Sequence, residues 1–120
     1  MLLKGASGFW PALEQLLAQS RVVIDRPRGS AHPRYPHVIY PVDYGYLEQT
    51  AALDGEGIDL WRGSLPQPTL GGVLLTVDLT KRDSEIKLLL GCTREEIDTI
   101  LAFHNSSPYM KGMLIPRDIE

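Results

Sequence analysis

The sequence predicts a mainly β (α+β) fold, a small barrel or strongly curved sheet with one or two helices beside it. Three observations carry this. Gly (11) and Pro (9) are plentiful while aromatics make up only 8% of the 120 residues, a balance that favours turn-rich strands over a helical bundle. Short β-branched or alternating apolar runs recur between turn residues, the mark of strands. Only two segments repeat apolar residues at helical spacing.

The first of these, Trp10 to Ser20, places Leu13, Leu16 and Leu17 on one face, with Pro11 suited to a first helical turn. At Arg21 the pattern changes, and Val22, Val23 and Ile24 read as a strand. Arg26 to Pro36, rich in Pro, Arg, Gly and His, reads as loop. Val38 to Tyr40 and Tyr44 to Leu47 read as short strands around a Pro41 to Asp43 corner, and Ile58 to Arg62 as another. Gly72 to Leu79 is the clearest strand, with Glu85 to Leu90 as its antiparallel partner across a polar turn from Thr80 to Ser84. Thr93-Arg94-Glu95-Glu96 resembles a capping box opening a second helix, with Ile97, Ile100, Leu101 and His104 as its buried stripe. The tail after Asn105 predicts no element.

The length fits a single domain over residues 1–120. A net charge of −3 lacks the basic stripe of a nucleic-acid binder. No long apolar stretch supports a signal peptide or a membrane span. Cys92 is the single cysteine, which excludes an internal disulfide and fits a reducing cytoplasm. It reads as an inert thiol, and Trp10, Trp61 and His104 as packing residues.

Two acidic clusters stand out: Asp54, Glu56 and Asp59 around a Gly-containing turn, and Asp78, Asp83 and Glu85 around the later hairpin. Antiparallel pairing would bring Asp78 and Asp83 to one rim, and alternation puts Asp83, Glu85 and Lys87 on one face. Carboxylates held together repel and are costly to desolvate; a hard divalent cation relieves both and takes oxygen ligands. Acidic residues near turns are common, so the clusters alone do not specify a metal site.

The run Tyr40 to Asp59, Y-P-V-D-Y-G-Y-L-E-Q-T-A-A-L-D-G-E-G-I-D, resembles the soluble (family I) inorganic pyrophosphatases, which read Y-P-x-N-Y-G-[YF]-I-x-x-T followed by D-G-D-P-x-D. Val23 to Pro27 is similar to the family's V-x-I-E-I-P strand, and Gly72 to Asp83 to its G-V-L-x-x-x-D-x-x-x-x-D segment. The resemblance covers roughly Arg21 to Leu90 and describes a shortened, divergent member. It implies a five-stranded OB-like barrel with helices outside, and Mg2+-dependent hydrolysis of pyrophosphate using two or more ions. By resemblance Asp54, Asp59, Asp78 and Asp83 are metal ligands, and Glu56 activates the attacking water. The resemblance further implies that Tyr44 and Tyr109 would hydrogen-bond phosphate, and Arg34, Lys87 and Lys111 are expected to join the substrate-binding set. The implied partner is a small-molecule substrate, with no nucleic acid or membrane, and family members are commonly homo-oligomers.

The chain also departs from the family. Glu56 replaces the basic Asp of the signature, Gly57 replaces its Pro and loosens that turn, and Arg34-Tyr35-Pro36 lacks the acid of K-Y-E. The hairpin after that motif, with its active-site Arg, is missing, and Glu85 stands where a Lys is expected. A misplacement of about 1 Å can cost roughly a hundredfold in rate, so weakened activity is expected. Two alternatives stay open: a metal- and phosphate-binding module with little activity, and a hydrolase of another small diphosphate.

Overall fold

The computed structural model describes residues 3–52 and 56–117. Its elements are α1 (Ala6–Ala18), β1 (Val22–Arg26), β2 (Asp43–Leu47), β3 (Asp59–Arg62), β4 (Leu70–Asp78), β5 (Asp83–Leu90), α2 (Arg94–His104) and β6 (Met110–Pro116). The strands form one sheet in the order β1-β2-β3-β5-β4-β6. Neighbours are antiparallel except β3 and β5, which run parallel. The mainly β class with two flanking helices is the one the sequence predicts. The sheet has six strands and is open, with β1 and β6 at its edges.

Alternation along the strands gives the sheet two apolar faces. On one, Leu47, Leu60, Leu70, Val73, Leu88 and Leu90 pack against Ala6, Trp10 and Leu13 of α1. On the other, Tyr44, Trp61, Leu74 and Leu89 pack with Tyr40, Val42 and Ile100 of α2. Leu47, Leu60, Leu88, Leu89 and Leu90 are fully buried, each contributing about 1.5–3 kcal/mol of transfer free energy.

Several elements differ from the sequence reading. Helix α1 begins at Ala6, because Ala6, Trp10 and Leu13 already form a buried stripe at helical spacing. Pro11 therefore lies inside the helix rather than in its first turn. Val38 to Tyr40 does not form a strand. An isolated bridge joins Ala31 and Ile39, and backbone bonds tie Gly29 and Ser30 to Tyr40 and His32 to Val38. Pro33, Pro36 and Pro41 lack the N–H donors that a longer ladder would need. In the tail, β6 pairs with β4 along seven positions, from Gly72↔Pro116 to Asp78↔Met110. The second helix follows its signals: Thr93 Oγ1 accepts from Glu96 N at 3.1 Å, and Glu96 Oε1 accepts from Thr93 N at 2.8 Å.

One residue of the Y-G-Y run is fixed by this architecture. A Cβ at Gly45 would stand 1.8 Å from the Val23 carbonyl oxygen, so only glycine lets β1 lie this close.

Candidate functional site

The register of β3, β5 and β4 assembles the site. Leu60 aligns with Leu88 and Trp61 with Leu89, which sets Asp59 beside Lys87. Lys87 in turn aligns with Leu74, Glu85 with Thr76, and Asp83 with Asp78. Tyr44 is the register partner of Trp61. The α2-facing side of the sheet therefore passes from an aromatic end at Trp61 and Leu89 to a charged end at Asp59, Lys87, Glu85, Asp83 and Asp78. The expected rim of Asp78 and Asp83, and the shared face of Asp83, Glu85 and Lys87, are both present.

Lys87 is the hub of the charged end. Its Nζ donates to Tyr44 Oη at 2.9 Å, to Asp59 Oδ2 at 3.1 Å and to Glu85 Oε2 at 3.5 Å. Tyr44 Oη donates to the same Asp59 oxygen at 2.6 Å. The Lys87 side chain is 7% exposed, against 28% for Asp59 and 11% for Glu85. Burial raises the Tyr44 phenol well above its usual range, and the Asp59 charge adds to this, so Tyr44 stays a protonated donor. Burial also raises Glu85. Lys87 opposes that shift, while Asp59 and Asp83 reinforce it. The three carboxylates thus lie close enough to feel one another.

Cations gather beside this group. Arg26 Nη1 donates to Tyr40 Oη, and its guanidinium lies 5.5 Å from the Tyr40 ring centre and 5.9 Å from that of Tyr44, within cation–π range. His32 stacks on Tyr40 at 6.2 Å, and its Nδ1 accepts from the backbone N–H of Arg34 at 3.0 Å and Tyr35 at 3.2 Å. Burial lowers the His32 pKa, and the charges of Arg26, Lys81 and Arg34 lower it further. Arg34 thus lies in a cationic group of which Arg26 is a member that the sequence did not single out. The β-bulge between Ile24 and Arg26 resets the strand alternation and hides the inward aim of Arg26.

The other expected site residues lie further out. Asp78 Oδ1 caps the hairpin turn, accepting from Thr80 N at 2.9 Å and Lys81 N at 3.0 Å. Glu56 is exposed, and its carbonyl accepts from Ala52 N at 2.7 Å. A Cβ at Gly57 would meet the Leu47 carbonyl oxygen at 2.5 Å and Tyr46 Cδ2 at 2.7 Å, so the position has no room for a side chain. Tyr109 is 63% exposed, and its carbonyl accepts from Leu79 N. Lys111 aligns with Val77, out of phase with Thr76 and Asp78, and its Nζ donates to Asn105 O at 3.4 Å. Asp54 lies outside the described residues.

Among the described residues no three His, Cys, Asp or Glu side chains form a group that could hold a metal ion. The donors at the charged end are all carboxylates, and Asp59, Glu85 and Asp83 outnumber the single ammonium of Lys87. A hard divalent cation that keeps several waters can bind through one or two carboxylates, the number that Lys87 Nζ brings together in Asp59 and Glu85.

The aromatic end is closed and inert. Trp61 Nε1 donates to His104 Nε2 at 3.0 Å, and His104 Nδ1 faces Met110 Sδ at 3.2 Å. Burial, aided by the Lys87 charge, lowers the His104 pKa to about 3, so the ring stays neutral. Burial pushes the Cys92 thiol up to about 11, away from thiolate reactivity.

The chain is similar in structure to an inorganic pyrophosphatase from Coxiella burnetii, with a TM-score of 0.55 and 16% identity over 80% of this chain and 84% of that one. The likeness establishes a pyrophosphatase-like fold. No protein-family model matches the sequence, and no curated protein matches it.

Proposed function

We propose that this chain hydrolyses inorganic pyrophosphate to two phosphates in a Mg2+-dependent reaction. The observation that carries the reading is the charged end of the α2 face, where Asp59 and Glu85 meet Lys87 and Tyr44, with Asp83 close enough to act on Glu85 and the cations around His32 beside them. The pyrophosphatase-like fold supports it. In this reading Asp54, Asp59, Asp78 and Asp83 hold the Mg2+ ions, which when bound polarise phosphoryl oxygens and acidify water. Arg34 and Lys87 draw the diphosphate towards the sheet by charge, with Tyr109 and Lys111 at the outer edge. Tyr44 donates from Oη, and its bond to Asp59 fixes the orientation of that carboxylate. Glu56 takes the proton of the attacking water on its carboxylate. The net charge of −3 and the single cysteine fit a cytoplasmic enzyme of a small-molecule substrate rather than a nucleic-acid or membrane binder. A homo-oligomer through α1 would cover Phe9, which is 46% exposed.

A second reading, a metal- and phosphate-binding module with little turnover, is favoured by one observation. Lys87 already neutralises part of the carboxylate group. Phosphate release across a Mg2+ titration, with pyrophosphate tested beside nucleoside diphosphates and triphosphates, separates the readings. Release from pyrophosphate above all others is expected. Release from nucleotides alone would reassign the substrate, and binding without release would favour the module.

A further inference from the structure

We infer that the Lys87 ammonium is a tethered competitor of the divalent cation at Asp59, so that metal binding to this chain must displace it. The inference rests on the metal-dependent reading above and concerns how that site is loaded. An ammonium has three N–H donors, and those of Lys87 are matched by Tyr44 Oη, Asp59 Oδ2 and Glu85 Oε2. Asp59 Oδ2 also accepts from Tyr44 Oη at 2.6 Å. An oxygen already holding two donors is in poor condition to ligate a metal until one of them leaves.

The lysine is held in place as well as paired. Its side chain is 7% exposed, and the β3–β5 register seats it directly beside Asp59. A second cation brought to Asp59 would meet the ammonium at close range in a poorly screened setting, where repulsion is far stronger than in water. Without the ammonium, Asp59 and Glu85 would face each other across a half-buried gap, the condition that a divalent cation relieves. The lysine thus stabilises the metal-free protein and weakens its hold on metal.

Titration calorimetry with Mg2+ alone tests this on the full chain. Lys87→Met should bind Mg2+ at least about tenfold more tightly than wild type. Lys4→Met, which removes an exposed charge at the far N-terminal turn, should stay within about twofold. Equal or weaker binding by Lys87→Met would overturn the inference. Because that variant could fail to fold, reductive methylation of the wild-type protein, read by mass spectrometry, provides a second readout. Lys87 should become several-fold more reactive when Mg2+ is added, and an unchanged rate would overturn the inference. Phosphate release is followed in parallel, so the two claims fail separately. Active wild type with unchanged affinity in Lys87→Met removes only the competition. Inactive, metal-free wild type beside a metal-binding Lys87→Met removes the hydrolase reading and upholds the competition. If neither protein binds Mg2+, both claims fall.

Discussion

The two ends of the α2-facing side of the sheet are built from the same strands yet have opposite chemistry. On β3, Asp59 and Trp61 are two residues apart and point the same way; on β5, Lys87 and Leu89 are related likewise. Trp61 and Leu89 lie under α2 and are wholly buried, with Phe103 and His104 against the indole. Asp59 and Glu85 keep partial contact with solvent. One two-residue repeat along the strand separates a side chain that excludes water from one that keeps contact with it. The closed end therefore provides the rigidity that holds the open end's charges at hydrogen-bond distance.

The closed end should be the more sensitive to substitution. Trp61→Ala should cost about 3–5 kcal/mol in denaturant unfolding, since it empties the aromatic cluster and leaves His104 Nε2 without its donor. A loss below about 1 kcal/mol would mean that the aromatic end does not support the fold. At the junction, Tyr44→Phe should cost about 1–3 kcal/mol, because Lys87 Nζ and Asp59 Oδ2 each lose a buried partner.

Acid should act chiefly through His104. Its folded pKa of about 3 lies below the unfolded value of roughly 6.5, so between these values the unfolded chain binds the extra proton. Its contribution is fully present above the unfolded value and falls by about 1.4 kcal/mol per pH unit on acidification below it. Glu85, raised in the fold, works the other way near its own range. Unfolding across pH should show the slope in wild type and a flatter one in His104→Phe. The smallest effects belong to the outer edge. Tyr109→Ala and Lys111→Ala should change stability by less than about 0.5 kcal/mol, and substrate contact would appear as a higher KM with kcat retained.

The sequence made local geometry legible and left distant pairing obscure. The face shared by Asp83, Glu85 and Lys87 follows from the two-residue period of a strand. The Asp78–Asp83 pair follows from the short turn between them. The contact between Asp59 and Lys87 does not follow, because a parallel pairing joins strands 28 residues apart with no turn to announce it. Arg26 was hidden by a bulge, and β6 by a run, M-K-G-M-L-I-P, without the alternation of a half-buried strand. That Gly57 has no room for a side chain was also hidden, because the Leu47 carbonyl that lies against it is ten residues away in the chain.

The proposed reactive site is the charged end of this face, centred on Asp59. Phosphate release from pyrophosphate by wild type and Asp59→Asn, at matched Mg2+ and with thermal unfolding of both, tests it most directly. Release by wild type is expected, with a loss of roughly a hundredfold or more in the variant, on the scale of misplacing a catalytic group, while the variant remains folded. Equal release by the two folded proteins would contradict it.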